Sequence, residues 1–220
     1  MAESIPEDLF VGEPVIEARW RLQNGALPLK NRHLRALAAR DVTSALVSWA
    51  HQHLEWTLAE GSVDQPNGVL VLDVDAEGRA IMSIAPFEPL PAMSAALLLD
   101  RASGHETDPV EDEVIWTCRD GRLYVLSDAD KPRSGANSLM VDLARTLHLE
   151  PQFEGHADAP EILSRLAPAD ELFLVSDEFG VVAAADHNGP VSERLASCYA
   201  RLLVTAKPDR MGQAVGRPRP

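Results

Sequence analysis

Between Ala169 and Leu195 the hydrophobic pattern changes period twice. Glu171–Val175 (ELFLV) is almost unbroken apolar chain, Ser176–Asp177 is a polar corner, and Gly180–Asp186 is a second run. A turn at Asn188–Gly189 follows, and Pro190 opens a stretch of helical period to about Val204. The pattern predicts strand, tight corner, strand, turn, helix, with proline at a first-turn position where its missing N–H is no loss. The N-terminal half alternates in the same way. Residues 11–22 (VGEPVIEARWRL) have strand character, and Asn24-Gly25 is a hairpin turn because both residues tolerate positive φ. A short strand then runs into NRHLRALAARD, an amphipathic helix with Leu34, Leu37 and Ala38 on one face. A second helix is predicted from about Val42 to Leu58, with Asp41 as its cap and Gly61 just beyond its end. GVLVLDVDAEGRAIMSIAPFEP reads as a hairpin around Asp75–Gly78.

The second half begins through the polar, acidic stretch SGHETDPVEDE. EVIWTC and LYVLSD are strands joined at Arg119-Asp120-Gly121. The helix NSLMVDLARTLHL and a short strand near Phe153 come next, then a helix PEILSRLA capped by Asp158. This order divides the chain into an extension at 1–10, an N-terminal α+β domain at 11–91, a C-terminal α/β domain at 92–206 and a Pro- and Arg-rich tail at 207–220.

Composition narrows the function classes. A formal net charge of −14 repels nucleic acid and anionic membrane, so neither is an expected partner. No run approaches the ~18 apolar residues of a membrane span, and the acidic start MAESIPEDLF has none of the regions of a secretory signal. Cys118 and Cys198 lie far apart, without metal-ligand or redox-motif spacing. A cytoplasmic protein with buried thiols and no metal site is expected. His51 and Glu55 share a helix face at i,i+4, but no third ligand accompanies them. Trp20, Trp49, Trp56 and Trp116 are most simply core or interface residues.

The run ELFLVSDEFGVVAAADHNGPVSERL resembles the C-terminal signature of fold-type IV pyridoxal-phosphate (PLP) enzymes, the branched-chain aminotransferase and aminodeoxychorismate lyase family. VIEARWRLQNGALPLKNRHLRAL resembles that family's strand-turn-strand-helix opening, with Glu17 and His33 at matching positions that would face substrate. EVIWTCRDGRLYVL with KPRSGANSLMVDLARTLHLEPQF resembles its stretch from a strand and turn into the helix covering the cofactor phosphate. The resemblance implies a two-domain α/β (α+β) class IV aminotransferase-like fold, a homodimer and a PLP site whose phosphate lies at the strand corner.

The catalytic positions of the family carry over poorly. The region that should bring the Schiff-base lysine, PLPAMSAALLLDRASGHETDP, contains none, and the chain's three lysines are Lys30, Lys131 and Lys207. The arginine that reaches the phosphate maps to Leu29, and the arginine of the family's "HLxRL" pattern maps to Ala36. At the phosphate corner Ser176 remains as a donor, beside Asp177 and Glu178. A dianionic phosphate wants N–H groups, hydroxyls and a fixed arginine, and two carboxylates there repel it by up to a few kcal/mol at short range. The expectation is a cofactor site altered or lost, with PLP absent or not covalently held.

The candidate chemistry therefore centres on two places. Lys131 precedes a helix beside Arg133, Ser134, Gly135 and Ser138, a ready anion site at a helix N-terminus. The simpler account is a solvated turn whose Ser or Asn caps the helix. Asp177 and Glu178 form an acid/base pair at the old cofactor corner, or else an acidic turn that caps backbone donors. His33 orients substrate or binds an anion with Arg32 and Arg35, or is a packing residue. Three functions follow: a divergent protein acting on or binding a small anionic metabolite without a lysine-bound cofactor; an inactive relative serving as a subunit or regulatory partner; and an active PLP enzyme using Lys131.

Overall fold

The structure, a computed structural model, describes residues 12–105 and 108–205. The extension at 1–10 and the tail at 207–220 lie outside these residues, as do positions 106 and 107 of the acidic stretch. Three antiparallel strands form the first sheet in the order β1-β2-β3: β1 (Pro14–Arg21), β2 (Val69–Asp75) and β3 (Ala80–Ala85). Two helices, α1 (Lys30–Ala39) and α2 (Ser44–Gly61), are inserted between β1 and β2. Ala18 and Trp20 of β1, with Leu22 just past its end, turn inward and meet Leu34, Leu37, Ala50 and Leu54 of the helices.

The second sheet has five strands in the order β6-β5-β4-β7-β8, antiparallel except for the β5/β6 pair. They are β4 (Glu113–Arg119), β5 (Arg122–Val125), β6 (Gln152–Phe153), β7 (Glu171–Ser176) and β8 (Gly180–Ala183). The central strands β4 and β7 are buried on both faces, which is why they read as continuous apolar runs. Trp116, Phe173 and Val175 point to a layer formed by α4 (Gly135–Thr146) and α6 (Pro190–Thr205). Ile115, Leu172 and Leu174 point to the opposite layer, formed by α3 (Ala95–Ser103) and α5 (Ala159–Arg165). Helix α1 packs against α4 and so joins the two halves.

Several expectations are corrected. Thr43, not Asp41, caps α2, its hydroxyl accepting from Leu46 N at 3.2 Å, and Gly61 is the last helical residue. Helix α4 starts two residues before Asn137, with Ser134 as its cap. On α1 the buried set is His33, Leu34, Ala36 and Leu37, while Ala38 is exposed. The strand after Asn24-Gly25 shrinks to a single bridge, Gln23 to Ala26, although both turn residues do take positive φ, 52° and 74°. Asp158 stands at the start of α5 without a side-chain capping bond. Trp20 and Trp116 are core residues, whereas Trp56 is 60% exposed. Helix α3 was not foreseen; its capping Ser94 and the i, i+3, i+4 apolar set Ala95, Leu98 and Leu99 were its signals.

Candidate functional site

The corner after β7 lies between the halves and is closed to solvent: Ser176, Asp177 and Glu178 are all buried. Ser176 folds its hydroxyl back to accept from the N–H groups of Glu178 (3.2 Å) and Phe179 (3.3 Å). That bond fixes a tight turn completed by Gly180 at φ 72°, where any Cβ would press on the Tyr199 ring. The turn aims the Asp177 side chain straight at the N-terminus of α4. Its Oδ1 accepts from Ala136 N at 2.5 Å and its Oδ2 from Gly135 N at 3.3 Å. His33 Nδ1 lies 2.9 Å from Oδ2, and the imidazole stacks on Trp20 with centroids 5.1 Å apart. Gly135 is required here, because a Cβ would collide with the His33 ring.

Two orphan N–H groups and the positive end of α4 thus meet a carboxylate supplied by the chain itself. Burial by itself pushes the Asp177 carboxyl up. The charge of His33, its hydrogen bond, and the bonds from Ala136 and Ser134 outweigh that and hold it below the usual carboxylate range. Burial, and then the charge of Asp177, push the Tyr199 phenol well above its ordinary value.

Glu178 points the other way, to β1. Its two oxygens take Arg19 Nε at 2.6 Å and Nη2 at 2.9 Å, while Arg21 N donates to Asp177 O at 3.1 Å. Asp177 and Glu178 therefore face apart; one closes the helix end and the other ties down the first sheet. Glu17 sits apart on the exposed side of β1, 3.2 Å from Arg19 Nη1.

Lys131 is in a different cluster. Its Nζ lies 2.7 Å from Glu111 Oε1, and His156 Nε2 contacts the same oxygen at 2.6 Å. Neighbouring acids are similarly matched: Asp112 with Arg40 at 2.6 Å and Glu113 with Arg101 at 2.6 Å. Burial raises the Asp112 carboxyl to about 6, with Arg40 opposing the rise and the charge of Asp177 adding to it. Sequence reasoning missed Glu111, Asp112, Arg40 and His156, which read as a solvated acidic loop and scattered cations. It also missed Asn137, buried on α4 and accepting from Trp116 Nε1 at 3.0 Å.

Of the proposed anion-binding set, Ser134 and Gly135 join the Asp177 cluster. Ser134 caps α4 through Asn137 N. Ser138 and Arg133 lie outside it, on the surface facing α1: Ser138 Oγ accepts from Arg32 Nη1 at 2.9 Å. A cavity of about 40 Å³ lies between the Glu111 cluster and the α3/α5 layer, and one of about 10 Å³ lies between that cluster and α4. Among the described residues no three His, Cys, Asp or Glu side chains converge as metal ligands, and no helix is long and apolar enough to cross a membrane.

With this geometry in place, the comparisons define the class: the chain has the fold of class IV aminotransferases and aminodeoxychorismate lyases. A solved protein provisionally described as a 4-amino-4-deoxychorismate lyase superposes at a TM-score of 0.63 and 18% identity, covering 90% of this chain and 95% of the other. The branched-chain amino acid aminotransferase from Escherichia coli gives 0.54 and 13% identity over 94% and 93%. A hypothetical aminotransferase from Mycobacterium tuberculosis gives 0.58 and 12% over 94% and 96%. No family model matches the sequence, and no curated protein matches it.

Proposed function

We propose that this chain keeps the class IV aminotransferase fold without its PLP chemistry, and serves as a non-catalytic binding or regulatory protein. The observation that carries this reading is the Asp177 carboxylate seated on Gly135 N and Ala136 N. In the related fold the corner and this helix hold the cofactor phosphate. Here a phosphate would have to displace a buried, hydrogen-bonded carboxylate and its histidine, and breaking such a pair costs about 3–5 kcal/mol. The donor set does not fit the cofactor.

Lysine chemistry is equally poorly supported. Lys30 lies 2.6 Å from Glu55 and Lys131 2.7 Å from Glu111, so each ammonium is held against a carboxylate. Lys207 lies outside the described residues. The cavities of about 40 and 10 Å³ beside β4 are far below the ~300 Å³ at which small-molecule sites begin. No observation favours the reading in which Lys131 carries the cofactor.

Titration of the purified protein with pyridoxal 5′-phosphate, followed by borohydride reduction and peptide mapping, tests this. The expected outcome is no lysine-bound absorbance band and no labelled peptide. A band trapped on Lys131 would restore an enzyme of the family type and end the proposal.

A further inference from the structure

The surface between α1 and α4 holds a cleft of about 320 Å³, on which four arginines converge: Arg32, Arg35, Arg133 and Arg145. One carboxylate, Asp142, lines it with them. This is a concentration of cations in a chain whose net charge is −14. Two of the four are already engaged by carboxylates. Arg32 Nη2 lies 2.9 Å from Asp142, and Arg145 Nε lies 3.8 Å from Glu150.

Among the described residues, the other two hydrogen-bond only to backbone. Arg35 Nε donates to Asn31 O at 3.2 Å, and Arg133 Nη2 donates to Ala129 O at 2.8 Å. Arg133 lies over the Phe153 ring at 4.5 Å, which fixes its plane. Its Nε is buried and has no hydrogen-bond partner among the described residues. Burial, and then the charge of Arg145, lower the Arg133 guanidinium from its ordinary value, so like charges are crowded together. Ser138, one turn into α4, adds a hydroxyl at the same wall.

We propose that this cleft is a binding site for a small anion bearing two or more phosphoryl groups. Guanidinium forks suit phosphoryl oxygens, and clustered arginines require more than one negative charge to balance them. The volume lies at the lower end of ordinary small-molecule sites, which begin near ~300 Å³. A groove of about 550 Å³ on the far side of Arg32 and Arg35 shares both residues and gives room for an organic remainder. The protein's negative field is screened within about 8 Å at physiological ionic strength, so it does not cancel the local attraction.

The site is separate from the Asp177 cluster. It deepens the binding role proposed above by naming a ligand class, and its test does not depend on the fate of PLP. Calorimetric titration with inorganic pyrophosphate, on the intact protein and on an Arg35→Ala/Arg145→Ala double variant, decides it. Both substituted arginines are exposed, and circular dichroism melting of the variant reports whether folding is kept. Expected are saturable binding that weakens as salt is raised, and at least a tenfold loss of affinity in a variant that melts like the parent. Absence of pyrophosphate binding at millimolar concentration overturns the proposal. So does equal affinity in the two proteins, or citrate binding in preference to pyrophosphate. A lysine-bound PLP band would remove the non-catalytic reading and leave this one standing.

Discussion

The buried Asp177 and the half-buried Asp112 each stand beside a cation, yet their environments push them in opposite directions. Asp177 receives two helix N-terminal N–H bonds as well as His33, and is held low. Asp112 has Arg40 but also the nearby charge of Asp177, and burial raises it to about 6. The stability consequences follow by linkage. Between about pH 4, the ordinary carboxylate value, and about 6, the folded protein holds a proton on Asp112 that the unfolded chain has lost. Stability from this group therefore falls as pH rises through that window. The Asp177 contribution is complete above the ordinary carboxylate range and is lost only as pH falls below it, so the two windows separate. Asp112→Asn is expected to flatten the stability profile between about pH 4 and 6 relative to the parent, measured by urea denaturation. An unchanged slope would mean that Asp112 titrates normally. None of this was legible in the sequence, because VEDE looks like any solvated acidic run until Arg40, Arg101 and Lys131 are brought to it from three separate positions.

The elements themselves were largely readable, since apolar periodicity is a local property. Their ends were less so. Asp41 and Thr43 are both capping residue types just before an apolar run, and propensity alone does not choose between them. The structure chooses Thr43, whose hydroxyl reaches Leu46 N, and the helix runs on to Gly61. Thr43→Ala is expected to cost about 1 kcal/mol of unfolding free energy and Asp41→Ala a few tenths at most. Equal costs in chemical denaturation would return the cap to Asp41. Helix α3 shows the complementary error: the apolar run AALLL was read only for a missing lysine, and its capping serine was passed over.

The two sheets are held together by a small set of polar links that cross between halves. Arg19 grips Glu178, His33 meets Asp177, Arg32 reaches Asp142 and Arg40 reaches Asp112. Each joins the β1–α1 region to an element far along the chain. Such links should make the molecule unfold as one unit although each half has its own hydrophobic core. Scanning calorimetry is expected to give a single transition for the parent. Arg19→Ala with Arg40→Ala should lose about 3–5 kcal/mol, mainly through the nearly buried Arg40–Asp112 pair, and split the transition in two. A double variant that still melts in one step would show that α1–α4 packing alone couples the halves.

The sequence by itself determined the order of strands and helices, the exclusion of a membrane-spanning helix, and the resemblance from which the class IV aminotransferase fold followed. These rest on periodicity and turn chemistry, which act over a few residues. It also limited the lysines to Lys30, Lys131 and Lys207. Only the tertiary structure decided what Asp177 does. The turn at Ser176–Gly180 places one carboxylate on the N–H groups of Gly135 and Ala136, and α1 brings His33 to its other side. The same packing of α1 on α4 gathers four arginines into one cleft. Residues far apart in the chain acquire a shared function only when packing sets their distance, and no local pattern encodes that distance.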